Sequence, residues 1–355
     1  MTDQQQQKGQ KPTVRAGAAS HRAAGPGAAI FALVILVAGI LIGRYVRLMP
    51  VEASVGAVQV DILFNTMLGI AAAIFLLVEG LLLYSAFHFR RKNGEEGDGP
   101  PIHGSNRLEI AWTIIPALLV VWLGVYSYQL FVELQPPRPT DLTVEVTAFQ
   151  FDWQFNYPEY GITTQDLYLP AGRSVRMKIT SRDVIHSFWV PEFRIKRDAV
   201  PGRETEFQFT TNALGTYRVV CAELCGAGHA QMGLIRFAVV VSPDEFAAWV
   251  AKQQQSAGQP ATARELFTRY GCNACHALTD AGAIGQVGPN LDGIGARAGT
   301  RVAGLSAEDY IRQSILDPGA FVVPDFPDGV MPRDFGARIP QSELDALVDY
   351  LLEQK

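Results

Sequence analysis

Two short runs hold the side chains best suited to chemistry. The first is Cys221-Ala222-Glu223-Leu224-Cys225-Gly226-Ala227-Gly228-His229-Ala230-Gln231-Met232, spaced Cys-x3-Cys-x3-His-x2-Met. Upstream, His186 sits in Asp183-Val184-Ile185-His186-Ser187-Phe188. Two thiols, a thioether and imidazoles form a soft donor set, which selects copper over magnesium or calcium. Zinc seldom recruits Met, and a catalytic thiol has no use for a second Cys in this company. Spacing alone leaves open a Cys221–Cys225 disulfide and a packed, non-ligating His186, but His and Met on the same loop weigh against the disulfide.

The second run, Cys272-Asn273-Ala274-Cys275-His276, is Cys-x-x-Cys-His, the attachment signal of c-type haem. Two thiols add to the vinyl groups and the next residue ligates the iron. A zinc or thiol-redox reading would want further Cys or a βαβ pattern, and the sequence offers neither. Beyond His276 there is no other His and a single Met, Met331, which becomes the candidate for the opposite axial position. Met/His ligation raises the haem potential and suits electron transfer; an exposed Met and a five-coordinate iron are the alternatives.

These runs need scaffolds, and the pattern supplies two. After Pro136-Pro137-Arg138-Pro139 the sequence turns to short alternating runs at 142–147, 174–180, 206–210 and 234–241, punctuated by Pro-Gly and Gly turns. That is the pattern of a β-sandwich over residues 136–243. Ser242-Pro243-Asp244-Glu245 starts a helix, and the polar stretch Gln253 to Ala263 reads as a linker, so 244–262 joins the sandwich to a second unit at 263–355. The second unit has helical ends, 263–270 and 342–353, around Gly- and Pro-rich coil.

Before residue 135 lie three apolar stretches: 23–43, 62–89 with one acid, Glu79, inside it, and 110–132. Each is long enough to cross a bilayer, which takes about 20 helical residues. Lys8, Lys11, Arg15 and Arg22 precede the first, and Arg90, Arg91, Lys92 and Arg107 separate the second from the third. Cytoplasmic loops collect such residues, so the N-terminus and the 90–109 loop are expected inside and everything after Val132 outside. Residues 1–22 read as a disordered cytoplasmic N-terminus, 23–48 as a signal or anchor helix, and 62–132 as a transmembrane hairpin. The whole chain of 355 residues is 48% hydrophobic and 18% charged, against about 25% charged in soluble domains. Its net charge of -5 gives no basic excess for nucleic acid.

From about Asp61 to Val241 the chain resembles subunit II of haem-copper oxidases, on the strength of Asp183 to Phe188, Asp198-Ala199-Val200-Pro201-Gly202-Arg203, the Cys221 to Met232 loop and Glu109-Ile110-Ala111-Trp112-Thr113-Ile114-Ile115-Pro116. The resemblance implies a cupredoxin-type sandwich holding binuclear copper A through His186, Cys221, Cys225, His229 and Met232, both sulfurs bridging, with the Glu223 backbone carbonyl as a further ligand. It implies magnesium near the Glu223 side chain at the contact with subunit I, and a proton pathway whose cytoplasmic mouth is at Glu109. Where many relatives carry a Trp that receives electrons from docked soluble cytochrome c, this sequence has Phe151. Residues 263–355 resemble a small class I cytochrome c, an all-α domain, in which Gly288-Pro289-Asn290-Leu291 supplies the Pro289 carbonyl to the axial His and Phe267 meets Tyr350.

The fold expected is therefore a multidomain membrane protein, and the function that of cytochrome c oxidase subunit II with a fused cytochrome c. Electrons from an external donor protein would reach haem c, pass to copper A and leave for subunit I, with subunit III as a further partner and the plasma membrane as the site. Of its six His, three are ligand candidates and His21, His88 and His103 lie outside or at the ends of the spans, which leaves none for an oxygen-reducing centre. The alternatives are the electron-input subunit of a copper A nitric oxide reductase and, from another class, a membrane-tethered copper carrier or sensor, which would have no need of covalent haem.

Overall fold

The computed structural model describes residues 26–90, 94, 104–134, 142–256 and 261–355, so the N-terminal segment 1–22 and the Pro136 to Pro139 joint lie outside the described residues. Two compact units divide the chain.

The first unit pairs helix α1 (Pro26–Tyr45) with the part of α2 (Ala57–His88) beyond residue 64. Small residues let the two backbones close up: a Cβ on Gly39 would stand 2.8 Å from Cβ of Ala73, and one on Gly43 2.6 Å from the Asn65 carbonyl. Glycine at such crossings is the usual way for apolar helices to gain contact where lipid removes the hydrophobic drive. α2 and the 29-residue α3 (Asn106–Leu134) are long and apolar enough to cross a membrane. Both run past the expected 62–89 and 110–132, because Ala57 to Asp61 and the turn from Asn106 continue the helical hydrogen bonding beyond the apolar core.

The second unit holds residues 47–64, α3 and everything after it. Its sandwich comprises β1 (Leu142–Phe149), β2 (Asp152–Tyr157), β3 (Ile162–Thr164), β4 (Leu167–Pro170), β5 (Ser174–Ser181), β6 (His186–Val190), β7 (Ile195–Ala199), β8 (Thr205–Thr210), β9 (Gly215–Arg218), β10 (Val220–Cys221) and β11 (Phe237–Val241). One sheet runs β3-β2-β1-β5-β8 with β1 and β5 parallel; β10-β6-β7 and β4-β11-β9 face it. Alternation builds the core, since Trp153, Phe155 and Tyr157 on β2 are all fully buried. The run expected as strand over 234–241 begins only at Phe237, because Gln231–Gly233 forms a 3-10 turn that Leu234 closes.

The α1–α2 loop belongs to this sandwich. Ala53 N–H donates to the Glu192 carbonyl at 2.9 Å, Val55 N–H to that of Thr210 at 2.9 Å, and Arg194 grips Asp61 through two bonds of 2.6 and 2.7 Å. This loop therefore shares a side of the bilayer with the sandwich, as the Lys and Arg distribution requires.

Helix α4 (Pro243–Ser256) packs Phe246 and Val250 on the sandwich, and Trp249 stacks on Tyr168 at 4.6 Å. It consumes Gln253 to Ser256, residues expected in the linker, because the helical hydrogen bonds continue to the end of its packed face. The last unit has α5 (Ala263–Arg269), α6 (Cys272–Cys275), α7 (Ile294–Arg297), α8 (Ala307–Leu316), α9 (Phe335–Arg338) and α10 (Gln341–Leu352). A Thr262–Glu265 capping box starts α5. α5 and α10 pack together, Phe267 meeting Tyr350 at 6.3 Å. The domain is helical apart from a pair of short strands, β12 (His276–Leu278) and β13 (Ala283–Gln286), that turns the chain back from His276.

Candidate metal centre and haem site

The β6 start, the β10 end and the loop after it bring the soft donors together. Cys221 Sγ lies 3.9 Å from Cys225 Sγ and 3.9 Å from His186 Nδ1. Cys225 Sγ in turn lies 3.6 Å from His229 Nδ1 and 3.5 Å from Met232 Sδ, and the Glu223 carbonyl is 3.2 Å from Cys221 Sγ. Both Cys are buried free thiols, and His186 and Met232 are fully buried. The donor atoms of His186, Cys221 and Cys225 all fall within 4.8 Å of one another. Glu223 itself is exposed.

Ring orientation at His186 is set from behind. Its Nε2 sits 2.9 Å from Asp183 Oδ1, so Nδ1 faces the sulfurs. Burial pulls the His186 pKa down, but the hydrogen bonds to Asp183 and Cys221 outweigh it and the net shift is upward. The Cys221 sulfur is held far below the ordinary thiol value by its hydrogen bond with Cys225, with help from His186, while that same neighbour and burial push Cys225 up. The two sulfurs thus share one proton, a charge state that a copper ion would relieve. Soft donors, closeness and charge all fit two coppers here.

Asp183 opens the run that holds His186, and the geometry gives it its role behind the ring. Gln150 had no sequence signal: its side-chain N–H donates to the Cys225 carbonyl at 2.6 Å and its backbone N–H to Asp183 at 2.7 Å. Phe151 is buried against the loop, where a Cβ on Gly228 would stand 2.4 Å from its ring.

A second cleft, about 1280 Å³ of atom-free space partly open to solvent, is lined by Cys272, Cys275, His276, Pro289 and Met331 together with apolar side chains such as Ile311 and Leu347. His276 Nδ1 donates to the Pro289 carbonyl at 2.8 Å, and burial lowers the His276 pKa, so the ring is neutral and Nε2 keeps its lone pair. Burial raises the Cys272 thiol to about 12 and Cys275 to about 11, which suits residues that end as thioethers. Gly288, in the segment expected to supply the Pro289 carbonyl, passes so close that a Cβ there would stand 2.5 Å from the His276 ring. A flat apolar slot with a neutral imidazole on its wall fits a haem.

The two sites adjoin. Ala274, inside the Cys-x-x-Cys-His run, is fully buried and belongs to the sandwich core cluster, and α6 packs on the Gln231–Gly233 turn that carries Met232. Glu109 stands apart from both, exposed in the first turn of α3, about 38 Å of helix from Leu134.

Family models match in three places: cytochrome c oxidase subunit II, periplasmic domain, at 158–239; the transmembrane domain of the same subunit at 42–130; and cytochrome c at 260–355. Cytochrome c oxidase subunit 2 of Thermostichus vulcanus is 36% identical over 282 residues, covering 64% of this chain and 85% of that protein. The same subunit of Alkalihalophilus pseudofirmus is 32% identical over 304 residues and covers 81% of this chain, a span that reaches past Thr262 wherever it starts. Among solved structures, the periplasmic domain of subunit II of the Bradyrhizobium japonicum cytochrome oxidase is 32% identical, covers 34% of this chain and 97% of its own, and has a TM-score of 0.32.

Proposed function

This chain belongs to the cytochrome c oxidase subunit II family and carries a cytochrome c domain, and from that premise we propose that it is the electron-input subunit of a haem-copper oxidase. It takes electrons from an external donor protein and delivers them to a separate subunit I, where oxygen is reduced to water with coupled proton transport. When bound, haem c and binuclear copper A each supply a one-electron couple, so this chain has only to hold, orient and enclose them.

Copper would be held by the sulfurs of Cys221 and Cys225, the Nδ1 atoms of His186 and His229, the thioether of Met232 and the carbonyl of Glu223. Asp183 fixes the His186 ring from behind, and Gln150 ties the Cys225 carbonyl to the β1–β2 turn. Cys272, Cys275, His276 and Met331 line the cleft and would hold haem through two thioether bonds, the His276 ring and the Met331 sulfur, while the Pro289 carbonyl accepts from His276 Nδ1. The exposed Glu223 carboxylate suits magnesium at the contact with subunit I, and Glu109 suits the cytoplasmic mouth of a proton pathway. The α1–α2 loop bound to the sandwich supports a plasma-membrane protein with both redox domains outside, and subunit III is a further partner.

The observation that carries this reading is the unbroken run of sulfur and nitrogen donors, 3.5 to 3.9 Å apart, from His186 to Met232. The purified complex should hold two coppers per chain with a purple mixed-valence spectrum, show covalent haem and consume oxygen. Cys225→Ser should abolish the copper spectrum, because one sulfur serves both metals. One isolated copper per chain, or stoichiometric zinc of native-like affinity, would sink the assignment.

A further inference from the structure

Between the copper loop and the haem-attachment helix lies a buried ion pair that neither site uses as a ligand. Arg236 donates to Asp152 through Nε at 2.6 Å and Nη2 at 2.5 Å. Asp152 is fully buried and Arg236 is 5% exposed. A buried pair of this kind contributes little net stability compared with apolar residues of the same volume, because desolvation offsets the attraction. What it does give is direction, since a bidentate guanidinium–carboxylate fork has a fixed plane.

That plane is anchored to copper-site residues at both ends. Asp152 opens β2 directly after Phe151, and its Oδ1 also accepts the Trp153 N–H at 2.7 Å. Arg236 follows Met232 by four residues, and its carbonyl accepts the Val219 N–H at 3.0 Å. The neighbouring Asp166 carboxylate lies close enough to add to the field on Arg236 and is itself occupied by the Phe237 N–H at 2.9 Å.

Arg236 Nη1 lies 3.4 Å from the Ile235 carbonyl, and one further guanidinium contact leaves the sandwich. Arg236 Nη2 reaches Asn273 Oδ1, 3.5 Å away, inside Cys272-Asn273-Ala274-Cys275-His276. Next to it Gly271, with φ of 78°, brings its backbone so near that a Cβ would stand 3.4 Å from the Phe149 ring and 4.0 Å from Asp152 Oδ2. On the same face Gln165 donates to the Thr268 carbonyl, and Arg338 of the C-terminal domain sits 5.8 Å from the Phe149 ring centre.

We propose that Asp152 and Arg236 are positioning residues that seat the cytochrome domain, the ion pair presenting Arg236 to Asn273 so that the haem-attachment helix rests in one register on the copper loop. This deepens the electron-input reading and rests on it. Transfer between two redox groups falls steeply with their separation, and a tether alone gives proximity without a fixed geometry. Asp152, Arg236 and Asn273 supply the geometry.

The test uses the complete oxidase. Asn273→Leu removes the acceptor and leaves the ion pair intact; Asp152→Asn with Arg236→Gln replaces the pair by neutral amides and leaves no lone buried charge. Two quantities are read: amide hydrogen exchange of 149–153 and 268–275, and, after rapid reduction by the donor, the bimolecular rate of haem reduction against the internal rate of its reoxidation. Both variants should exchange faster at that face. Their donor-to-haem rate and both absorption spectra should stay at wild-type values, while the internal rate falls about tenfold, the size of one lost charged hydrogen bond. Should the double variant not fold, Asn273→Leu decides alone. Wild-type exchange and wild-type internal rate in Asn273→Leu would overturn the proposal. Wild-type enzyme that passes no electron from haem to copper would instead overturn the electron-input reading, and exchange would still judge the seating.

Discussion

Two cysteines that share a proton behave differently from two that titrate apart, and the difference is measurable at the copper loop. Cys221 is held low by its bond with Cys225, and Cys225 is pushed up by the same neighbour and by burial. Copper needs both thiolates and neutral imidazole, so uptake by the metal-free chain at slightly alkaline pH should release about one proton from the sulfurs. His186 has a raised pKa and must also lose its proton to bind, so below that pKa the release climbs toward about two per chain and affinity drops with acid. Copper addition in unbuffered solution under a pH-stat measures this; a release that stays constant as the pH is lowered would overturn it. Asp183 governs the ring itself. Burial raises the Asp183 pKa, but its bonds from His186 and from the Gln150 and Val184 N–H groups outweigh that and hold it low, so it remains a carboxylate. Asp183→Asn should therefore weaken copper binding about 10- to 100-fold in chelator competition, the usual cost of losing a partner behind a metal-bound His.

At the scale of elements, close backbone approach decides which loops can hold a cofactor. Gly288 follows β13 and passes so near His276 that a methyl group would overlap the ring at 2.5 Å. Gly288→Ala should tilt the imidazole off the Pro289 carbonyl, seen as a changed haem absorption band and a shifted midpoint potential with the thioether bonds still in place. The sequence singled out the Gly288 to Leu291 segment for the Pro289 carbonyl, but the need for glycine at 288 comes from the tertiary approach of the His276 ring. The strands divide in the same way. β1, β5 and β8 announce themselves by alternation, since one face of each meets the core. β7, Ile195-Lys196-Arg197-Asp198-Ala199, carries charges at its centre and sits at the edge of a small sheet, so its pairing with β6 had no hydrophobic signature. β2 alternates through Trp153, Phe155 and Tyr157, which are buried, but it was not among the runs picked out as strands. The copper and haem residues were legible because ligand chemistry restricts residue type; Gln150 and the Asp152–Arg236 pair were not, because they act through tertiary geometry.

For the whole molecule the question is on which side of the membrane each part lies and how electrons arrive. The α1–α2 loop bonded to the sandwich and the Lys and Arg of the 90–109 loop agree, so a reporter fused after residue 95 should work only in the cytoplasm and one after residue 140 only outside. Phe149 and Phe151 are 7% and 4% exposed, and Ala274 of the cytochrome domain is buried in the core cluster of the sandwich. The chain between the last residue of α4 and the Thr262 cap is short, so the tethered domain acts at an effective concentration on the order of millimolar, above any micromolar free donor. Cutting the chain after Ser256 keeps α4 on the sandwich and leaves every copper donor in place. The truncated oxidase should retain its copper spectrum and turn over a small-molecule reductant that reaches copper directly. Its oxidation of the natural donor should fall on the order of a hundredfold or more, the ratio of the two concentrations. Added soluble cytochrome c should recover little of that loss, since a free partner at micromolar concentration lacks the advantage of the tether. Turnover of the natural donor at the full-length rate would mean that electrons reach copper by a route that bypasses residues 263–355.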